Sequence, residues 1–467
     1  MKKFVSVRLF CIILSIIMIM PMVLSGCGSN TASTGDASSS VPADNSIAPQ
    51  DNNSAAALSY PTKKPEEYKG ELDYWVWGDY EARCTEPFFK LYPNIKINFV
   101  KIANGDYFTK LQTAIAANSG MPDIANLEQT PRRTELNLNC WERLDAAPYN
   151  FDKSVIVDWA LPLMTNDKGE ITCAQIDNCI GGTVYNRNNV KKLWGISEVD
   201  EMESKFKTTD DYIAASAAFK GKDLGFYMFA GVFDVWDAFF QLFPEQYVTD
   251  DNVLNFEAAI LPTFKIIQAI VANDAVGKIK NWTPQWSAAF ATDYATFYSG
   301  VTWMVYDNIV PNNPKDTKDK FGLITPPGGG YNQGGTALAI PKSIPQGQKE
   351  LAWEFIRWFT QSDSGAQAFL DRNHAPTLYK PFYTNEAYTT SVGNDPMFAG
   401  QNPLAKWMEI SKNPNTKVRP MSKYDQLVSN SIQTALVEMG NGATAEEALK
   451  MVKKDVLSQA PELKDNK

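Results

Sequence analysis

Two short loops of the sequence carry groups that could bind a small molecule, one with aromatic rings and a carboxylate and the other with a carboxylate and an amide. Trp77, Asp79 and Tyr80 follow one apolar segment, and Glu128 and Gln129 follow another. Aromatic rings stack on flat apolar surfaces, while carboxylates and amides hydrogen bond with polar groups. The chain has 12 Trp, 19 Tyr and 25 Phe, and most of these must belong to the core. The two loops are therefore candidates for binding a small molecule.

The chain contains a single histidine, His374. This argues against a metal site built from several histidines and against a Ser-His-Asp hydrolase triad. His374 is either a ligand contact or a structural residue. No basic cluster stands out among 44 basic and 53 acidic residues, which give a formal net charge of -9. We therefore expect no nucleic-acid partner, and we predict neither a cofactor nor a metal ion.

The N-terminus places a cysteine where acylation would occur. Lys2, Lys3 and Arg8 precede an apolar segment that ends in a Leu-Ser-Gly-Cys sequence at Cys27. This arrangement is similar to bacterial lipoprotein signals, which implies cleavage before Cys27 and attachment of a two-chain lipid to its thiolate. The alternative is an ordinary signal peptide or a transmembrane anchor in which the cysteine is incidental.

On this interpretation residues 1–26 are a signal peptide and residues 27–59 are a lipidated, flexible tether. The tether is rich in Ser, Ala, Asn and Asp and cannot bury enough apolar surface to fold. We expect the protein to be lipid-anchored at the extracytoplasmic face of the cell membrane. Outside the cytoplasm Cys84, Cys140, Cys173 and Cys179 could pair, and Cys173 with Cys179 would close a small loop. Free buried thiols are the alternative.

Hydrophobic periodicity predicts a βαβαβ order at the start of the folded part. Strands are expected at 71–77, 95–102 and 123–127, with helices beginning at Thr85 and at Asp106. This order favours a parallel sheet, in which ligands bind beyond the carboxyl ends of the strands. Both aromatic and acidic loops lie at such ends.

Further along the chain the pattern predicts strands at 302–307, 321–325 and 336–340. A helix carries an apolar stripe that includes Trp353 and Trp358, two residues that we expect in the core. Thr444 and Glu447 form a capping box that begins the last helix.

Several segments, in order along the chain, carry a family pattern. They are FFKLYPNIKINF, YFTKLQTAIAANSGMPDIANLE, GGTVYNRNNVKKLWGI, KTTDDYIAASAAF, FYSGVTWMVYDN and GGTALAIPKSIPQGQKELAWEFIRWFTQ. By these segments the chain resembles the extracellular solute-binding proteins of bacterial ABC importers, and most of all their carbohydrate-binding, maltose-binding-protein-like family. The chain departs from that pattern at Thr172-Cys173-Ala174-Gln175 and after Met304.

The resemblance implies an α/β fold of two lobes, the type II periplasmic-binding-protein-like architecture, with discontinuous lobes and a hinge. The first lobe would comprise residues 60–177 with 333–372, and the second residues 178–332 with 373–467. Three crossings, near 173–179, 326–335 and 374–376, would form the hinge, and the lobes would close around the ligand.

The resemblance also implies which residues bind. Aromatic rings would cover the flat C–H faces of a sugar, and carboxylates and amides would pair with its hydroxyls. The expected ligand-binding residues are Trp77, Asp79, Tyr80, Glu128, Gln129, Asp177, Trp236, Asp237, Trp282, Trp286, Asp307 and Asn308. For Asp177 the alternative is a hinge hydrogen bond. For Trp236 and Asp237 it is an amphipathic helix whose rings belong to the core.

The function implied is that of a membrane-tethered, non-enzymatic receptor, which we expect to be a monomer. It would capture a mono- or oligosaccharide and deliver it to the permease subunits of an ABC transporter. One alternative is a peptide or polyamine receptor, because polyamines bind to acids and aromatic walls. Another is a surface glycoside hydrolase, which needs two carboxylates at about 5–5.5 or about 6.5–9.5 Å.

Overall fold

The structure is a computed structural model that describes residues 58–413 and 416–466. The predicted signal peptide, the acylation site at Cys27 and nearly all of the predicted tether lie outside the described residues. Two large hydrophobic cores define a first and a second lobe. The first core draws its buried residues from 60–176 and 337–378, with Met421. The second draws them from 179–331 and 397–463. The predicted lobe boundaries in sequence remain a prediction.

The strands form one sheet in each lobe and a short ladder near the crossings. They are β1 (Gly70–Val76), β2 (Ile95–Lys101), β3 (Ile124–Glu128), β4 (Ala174–Gln175), β5 (Ile180–Gly181), β6 (Thr183–Asn186), β7 (Phe297–Ser299), β8 (Phe321–Ile324), β9 (Tyr331–Asn332) and β10 (Thr336–Ala339). The first-lobe sheet has the order β2-β1-β3-β10-β4, and the second-lobe sheet has the order β7-β6-β8. Strand β5 pairs with β9.

The helices cover both sheets and build most of the second lobe. They are α1 (Glu86–Leu91), α2 (Asn104–Ala117), α3 (Gln129–Leu136), α4 (Arg187–Trp194), α5 (Val199–Lys205), α6 (Thr209–Ser216), α7 (Val232–Phe239), α8 (Phe256–Ala259), α9 (Leu261–Val271), α10 (Pro284–Ala289), α11 (Thr302–Met304), α12 (Gln346–Gln361), α13 (Asp363–Asn373), α14 (Lys380–Thr384), α15 (Glu386–Ser391), α16 (Pro403–Ser411), α17 (Asp425–Gly440) and α18 (Ala445–Gln459). Short 3₁₀ turns join several of them.

The predicted βαβαβ order at the start of the fold is confirmed. Strand β1 pairs in parallel with both β2 and β3, with helices α1 and α2 between them. The sheet is mixed rather than parallel throughout, because β10 runs antiparallel to β3 and β4. Helix α2 begins at Asn104, two residues before the predicted start at Asp106. The carboxyl ends of β1 and β3 therefore deliver the two candidate loops to the same edge of the sheet.

The predicted strand over 302–307 is wrong, because this segment is helical. It forms α11 and then a π-helical turn, Val305–Ile309. Val301, Met304, Val305 and Ile309 recur at helical spacing and are all buried in the second core. Their burial outweighs the strand preference of Val305 and Tyr306.

Other sequence predictions are confirmed. Trp353 and Trp358 are buried in the first core. Thr444 accepts a hydrogen bond from the Glu447 backbone, and Glu447 accepts one from the Thr444 backbone, which completes the capping box. The four described cysteines, Cys84, Cys140, Cys173 and Cys179, are free thiols, which was the alternative to disulfide pairing. Cys140 is partly exposed and the other three are buried.

Three chain segments lie side by side where the chain passes between the cores. The Ile176 amide donates to the Thr336 carbonyl at 3.0 Å, and the Gln333 amide donates to the Cys179 carbonyl at 3.0 Å. The Asn178 amide donates to the Pro376 carbonyl at 2.9 Å. Backbone hydrogen bonds thus join the three crossings into one narrow connection between the lobes.

Candidate ligand-binding site

A cavity of about 320 Å³ lies between the lobes. The first lobe contributes Trp77 at the end of β1, Tyr107 on α2 and Glu128 at the end of β3, and α17 of the second lobe contributes Gln426 and Asn430. The remaining lining residues are Gly105, Phe108, Thr109, Pro131 and Glu135. Two lobes and both residue types of the sequence prediction therefore meet at one site.

The aromatic wall of this cavity is held in a fixed geometry. The rings of Trp77 and Tyr107 meet edge to face, with centroids 5.0 Å apart. The Tyr107 hydroxyl donates to the Trp75 carbonyl at 3.2 Å and accepts from the Asn126 amide at 2.8 Å. Trp77 is only partly buried, so its ring remains able to meet a ligand.

Helix α3 supplies the acidic wall. Glu128 caps this helix, and its Oε2 accepts from the Thr130 amide at 2.8 Å. Burial raises the pKa of Glu128 above its usual range. Glu135 lies seven residues later on the same face, and its Oε2 is buried without a hydrogen-bond partner. Burial raises the pKa of Glu135 to about 8, although the Arg132 guanidinium opposes this shift.

Arg132 lies between the two glutamates but is already engaged. It is fully buried, and it donates to the Leu127 carbonyl at 2.9 Å and to Gln175 Oε1 at 2.5 Å. It also donates to the Gly335 carbonyl. The guanidinium thus ties α3 to β3 and to the crossing before β10.

A second aromatic group adjoins the crossing between β9 and β10. The rings of Trp282 and Trp303 stack with centroids 5.9 Å apart, and Trp303 Nε1 donates to the Gln333 carbonyl at 3.0 Å. From the first lobe, Gln129 Oε1 accepts from the Gly334 amide at 2.8 Å. Neighbouring residues of one crossing therefore link Trp303 with Gln129, which directly follows Glu128.

Trp282 differs from the other aromatic residues of this group. It is 62% exposed, the largest exposure among the exposed large hydrophobic side chains of the described residues. Its backbone is left-handed, with φ of 61°, a conformation that costs a bulky residue free energy. Strain of this kind persists only where the surroundings hold it, and it clusters at ligand contacts.

Two buried acids support this aromatic group. Trp286 is buried and donates through Nε1 to Asp234 Oδ1 at 2.8 Å. Asp237 Oδ2 accepts from Asn281 at 3.3 Å. Burial raises the pKa of both aspartates to about 7, and the charge of Asp234 adds to the shift of Asp237.

Asp177 and Asn178 act at the crossings in this structure. Asp177 Oδ1 accepts from the Thr336 amide at 2.8 Å, and its Oδ2 accepts from the Tyr80 hydroxyl at 2.9 Å. Asn178 donates to the Tyr383 hydroxyl at 2.5 Å. For Asp177 these contacts are the hinge hydrogen bonds that were the alternative to ligand binding. Tyr80 belongs to the same hydrogen-bond network.

An ion pair joins the lobes beside this network. An Arg83 guanidinium nitrogen lies 2.5 Å from Asp307 Oδ1, and Arg83 Nε donates to Asn373 Oδ1 at 2.5 Å. Burial raises the pKa of Asp307, while Arg83 opposes the shift. Asn308 follows on the same π-helical turn, and its side chain donates a long hydrogen bond to the Trp303 carbonyl at 3.5 Å.

Of the twelve predicted contacts only Trp77 and Glu128 line the cavity, and Asp79 and Trp236 are engaged elsewhere. Asp79 is exposed and pairs with Lys101 at 2.6 Å, which lowers its pKa. Trp236 is buried, with its ring stacked on Phe240 and packed against Phe264, so it is a core residue as the alternative supposed. A helix places Trp236 and Asp237 on different faces, which an aromatic–acid cluster in sequence does not show.

Sequence reasoning missed Tyr107, Glu135, Trp303, Gln426 and Asn430. Glu128 and Glu135 are seven residues apart, a spacing that puts them on one helical face. This spacing could have identified Glu135 as a site residue once Glu128 was chosen. Trp303 was hidden by the wrong strand prediction. No signal in the sequence marks Gln426 and Asn430, because α17 reaches the cavity from the other lobe.

A larger groove, of about 560 Å³, is lined by Glu203, Lys207, Pro326 and other residues of the second lobe alone. Closure of two lobes would not enclose a ligand there.

Among the described residues no group of three or more His, Cys, Asp or Glu side chains is placed to hold a metal ion. No helix in the described ranges is long and apolar enough to cross a membrane.

The fold and the interlobe cavity together define a two-lobed binding protein of type II architecture. A model of the bacterial extracellular solute-binding protein family matches residues 84–391. The chain therefore belongs to this family, which is extracytoplasmic. No curated protein sequence is significantly similar to the chain.

Solved structures share the fold at low sequence identity. An ABC substrate-binding protein from Listeria monocytogenes in complex with cycloalternan is 17% identical, with a TM-score of 0.67 over 85% of this chain and 100% of that chain. The binding protein from Bifidobacterium longum in complex with lacto-N-biose is 16% identical, with a TM-score of 0.67 over 84% and 97%. The sugar-binding protein MalE from Xanthomonas citri is 18% identical, with a TM-score of 0.64 over 84% and 98%.

Proposed function

We propose that this protein captures a mono- or oligosaccharide between its lobes and delivers it to the permease subunits of an ABC transporter, without reacting with it. The observation that carries the proposal is the interlobe cavity, which combines the Trp77 ring with the carboxylates of Glu128 and Glu135. Rings suit the C–H faces of a sugar, and carboxylates suit its hydroxyls. Family membership and the sugar complexes of structures with the same fold support the proposal.

The second lobe would contribute the larger stacking surface. Trp282 is exposed, stacks on Trp303 and follows Asn281, which holds Asp237. A sugar bound across the cleft would contact Trp77 and Glu128 on one side and Trp282 and Asp237 on the other. Gln129 and Asp307 would act at the edges, where the lobes already touch.

Calorimetric titration against a sugar panel tests the proposal. The full chain is kept in a detergent without a sugar headgroup, because maltoside detergents would compete for the site. We expect at least one mono- or oligosaccharide to bind and to be recovered unchanged. A panel in which no sugar binds would overturn the proposal. Release of new reducing ends from a bound oligosaccharide would instead support a glycoside hydrolase.

We further propose that a lipid on Cys27 tethers the receptor to the outer face of the cell membrane. The Leu-Ser-Gly-Cys sequence behind an apolar segment supports this, and two acyl chains suffice for stable anchoring. Cys27→Ala should release the protein from the membrane fraction or block its processing. If Cys27→Ala stays anchored at its mature size, the tether is not a lipid on this residue.

A further inference from the structure

Among the described residues that line the interlobe cavity, two are acids and none is a lysine or arginine. Glu128 and Glu135 line it on one side, and Asp425 lies at the start of α17, whose Gln426 and Asn430 line the other side. Burial raises the pKa of Asp425, the charge of Glu128 adds to this shift, and the Arg419 and Arg133 guanidinium groups oppose it. The side chains that α17 contributes to the cavity lining, Gln426 and Asn430, are neutral amides.

The nearest cation cannot complete the pairing. Arg132 acts electrostatically on both glutamates, but its hydrogen bonds go to the Leu127 and Gly335 carbonyls and to Gln175. Arg133 forms an ion pair with Asp167, and its charge also acts on Asp425. Both guanidinium groups near α3 are thus committed elsewhere.

Glu135 shows the consequence most clearly. It is 3% exposed, lines the cavity, and leaves its Oε2 buried without a partner. Buried polar groups without partners are rare and costly, and a buried carboxylate is more costly than a neutral group. A ligand group that donates to Glu135 would remove this cost only when it is bound.

We propose that the sugar captured here carries a basic amine, and that its ammonium group binds at Glu135, with Glu128 beside it. This inference rests on the proposed function. An ammonium group donates charge-assisted hydrogen bonds, which are stronger than those of a hydroxyl. The Trp77 and Tyr107 rings on the adjacent wall add cation–π attraction, which a neutral sugar does not receive.

Binding at this site moves a proton. Because burial raises the pKa of Glu135 to about 8, this side chain is largely protonated at pH 7. Arg132 lowers this pKa and Glu128 raises it, and the ionisable side chains of Tyr107, Cys140 and Cys173 also lie within its electrostatic reach. An arriving ammonium favours the carboxylate, so Glu135 gives its proton to solvent and the bound pair is neutral. A hydroxyl in the same place leaves the proton on Glu135.

Matched sugars test the proposal. Glucose with glucosamine, galactose with galactosamine, and cellobiose with the β-1,4-glucosamine disaccharide differ only in hydroxyl against ammonium at carbon 2. The N-acetylated forms keep the nitrogen but remove the charge. Full chain in a detergent without a sugar headgroup is titrated with each by calorimetry at pH 7, in phosphate and in Tris buffer. The two buffers differ in ionisation heat, so they reveal proton release.

The expected result is that an ammonium sugar binds about tenfold or more tighter than its hydroxyl and acetylated partners, with proton release. Neutral sugars that bind equally well or better would overturn the inference and leave the proposed function standing. If no sugar of either kind binds, the proposed function fails and the inference falls with it. Binding of spermidine but no sugar would point to a polyamine receptor and overturn both.

Variants separate a binding role for Glu135 from a structural one. Glu135→Gln keeps the shape of the side chain and removes its charge, so the tenfold preference for the ammonium sugar and the proton release should both disappear. Glu438→Gln makes the same charge change at an exposed position on α17 and should alter neither. A Glu135→Gln chain that melts normally yet keeps the preference and the proton release would overturn the assignment.

Discussion

At the scale of single residues, the aromatic pair of Trp282 and Trp303 is the clearest sign of a binding surface. A ring that is 62% exposed adds little to the core, and its left-handed backbone costs stability. The stacked Trp303 ring and the tilted Trp286 ring hold it in place. The protein therefore maintains an exposed ring at the expense of stability, which is expected where the ring contacts a ligand.

Replacement of Trp282 tests this interpretation. Trp282→Asn removes the ring but keeps a residue that tolerates the left-handed conformation. We expect sugar affinity to fall by about 1–3 kcal/mol, because the stacking face is lost, while the melting temperature is unchanged or higher. Titration calorimetry and thermal melting measure the two effects. Unchanged affinity for a sugar that binds the original chain would remove Trp282 from the site.

At the scale of elements, the crossing before β10 is tightly constrained. Gly335 has a φ of 126°, and an added Cβ would lie 2.5 Å from the Gln175 side chain. Gln175 in turn holds Arg132, which fastens α3 and its two glutamates to the sheet. A change at this one glycine would therefore reach the cavity through three contacts.

Gly335→Ala should destabilise the protein by about 1–3 kcal/mol and weaken sugar binding as well, because the Gln175–Arg132 contact is displaced. Gly347→Ala is the matched control. It lies in the first turn of α12 with no atom within 4 Å of an added Cβ, so we expect no loss and a gain of up to about 1 kcal/mol. Denaturant unfolding and calorimetry compare them. Equal stability of the two variants would contradict the proposed constraint.

At the scale of the whole molecule, the Arg83–Asp307 pair bears on lobe closure. It joins the loop that follows β1 in the first lobe to the π-helical turn of the second lobe, beside the three crossings. Both side chains remain partly exposed, so their attraction is worth at most about 1 kcal/mol. A pair of this strength can bias an equilibrium between open and closed lobes without fixing it.

Asp307→Asn should shift this equilibrium toward the open state and weaken sugar affinity by up to about fivefold. Small-angle scattering of the original chain should give a smaller radius of gyration with a saturating sugar, and the variant should need more sugar for the same change. Lys101→Met, which breaks the exposed Asp79 pair within the first lobe, serves as the control. Identical scattering with and without a tightly bound sugar would exclude closure.

The buried acids predict how stability depends on pH. Burial raises the pKa of Glu81, Asp234, Asp237 and Asp425 to about 7. The folded state then binds these protons more tightly than the unfolded chain, whose acids titrate near pH 4. The contribution of these acids to the free energy of unfolding is therefore full below about pH 4 and is lost as the pH rises through 7.

Between pH 5 and 8 we therefore expect the free energy of unfolding to fall, by on the order of 1 kcal/mol or more per acid. Glu81→Gln should flatten the profile, because its amide oxygen can still accept from Asn126 and never ionises. Glu438→Gln should leave the profile unchanged. Denaturant unfolding at several pH values is the measurement, and a profile that rises over this range would contradict the buried-acid explanation.

The sequence by itself determined the family, the α/β class and the order of the first strands and helices. Those features follow from local periodicity and from motifs that are contiguous in the chain, such as the capping box at Thr444. It also determined that Trp77, Glu128 and Gln129 lie at strand ends, because in parallel strands the chain direction decides which ends share an edge.

Only the tertiary structure decided which of these residues share a cavity with residues of the other lobe. Gln426 and Asn430 join Glu128 although about three hundred residues separate them in the sequence. The helical turn at Asp307 and the burial of Trp236 also depend on the second core, whose packing overrides local strand preference and local composition. Buried, unpartnered groups such as Glu135 Oε2 exist only in three dimensions, because burial and missing partners are properties of the packed chain rather than of its order.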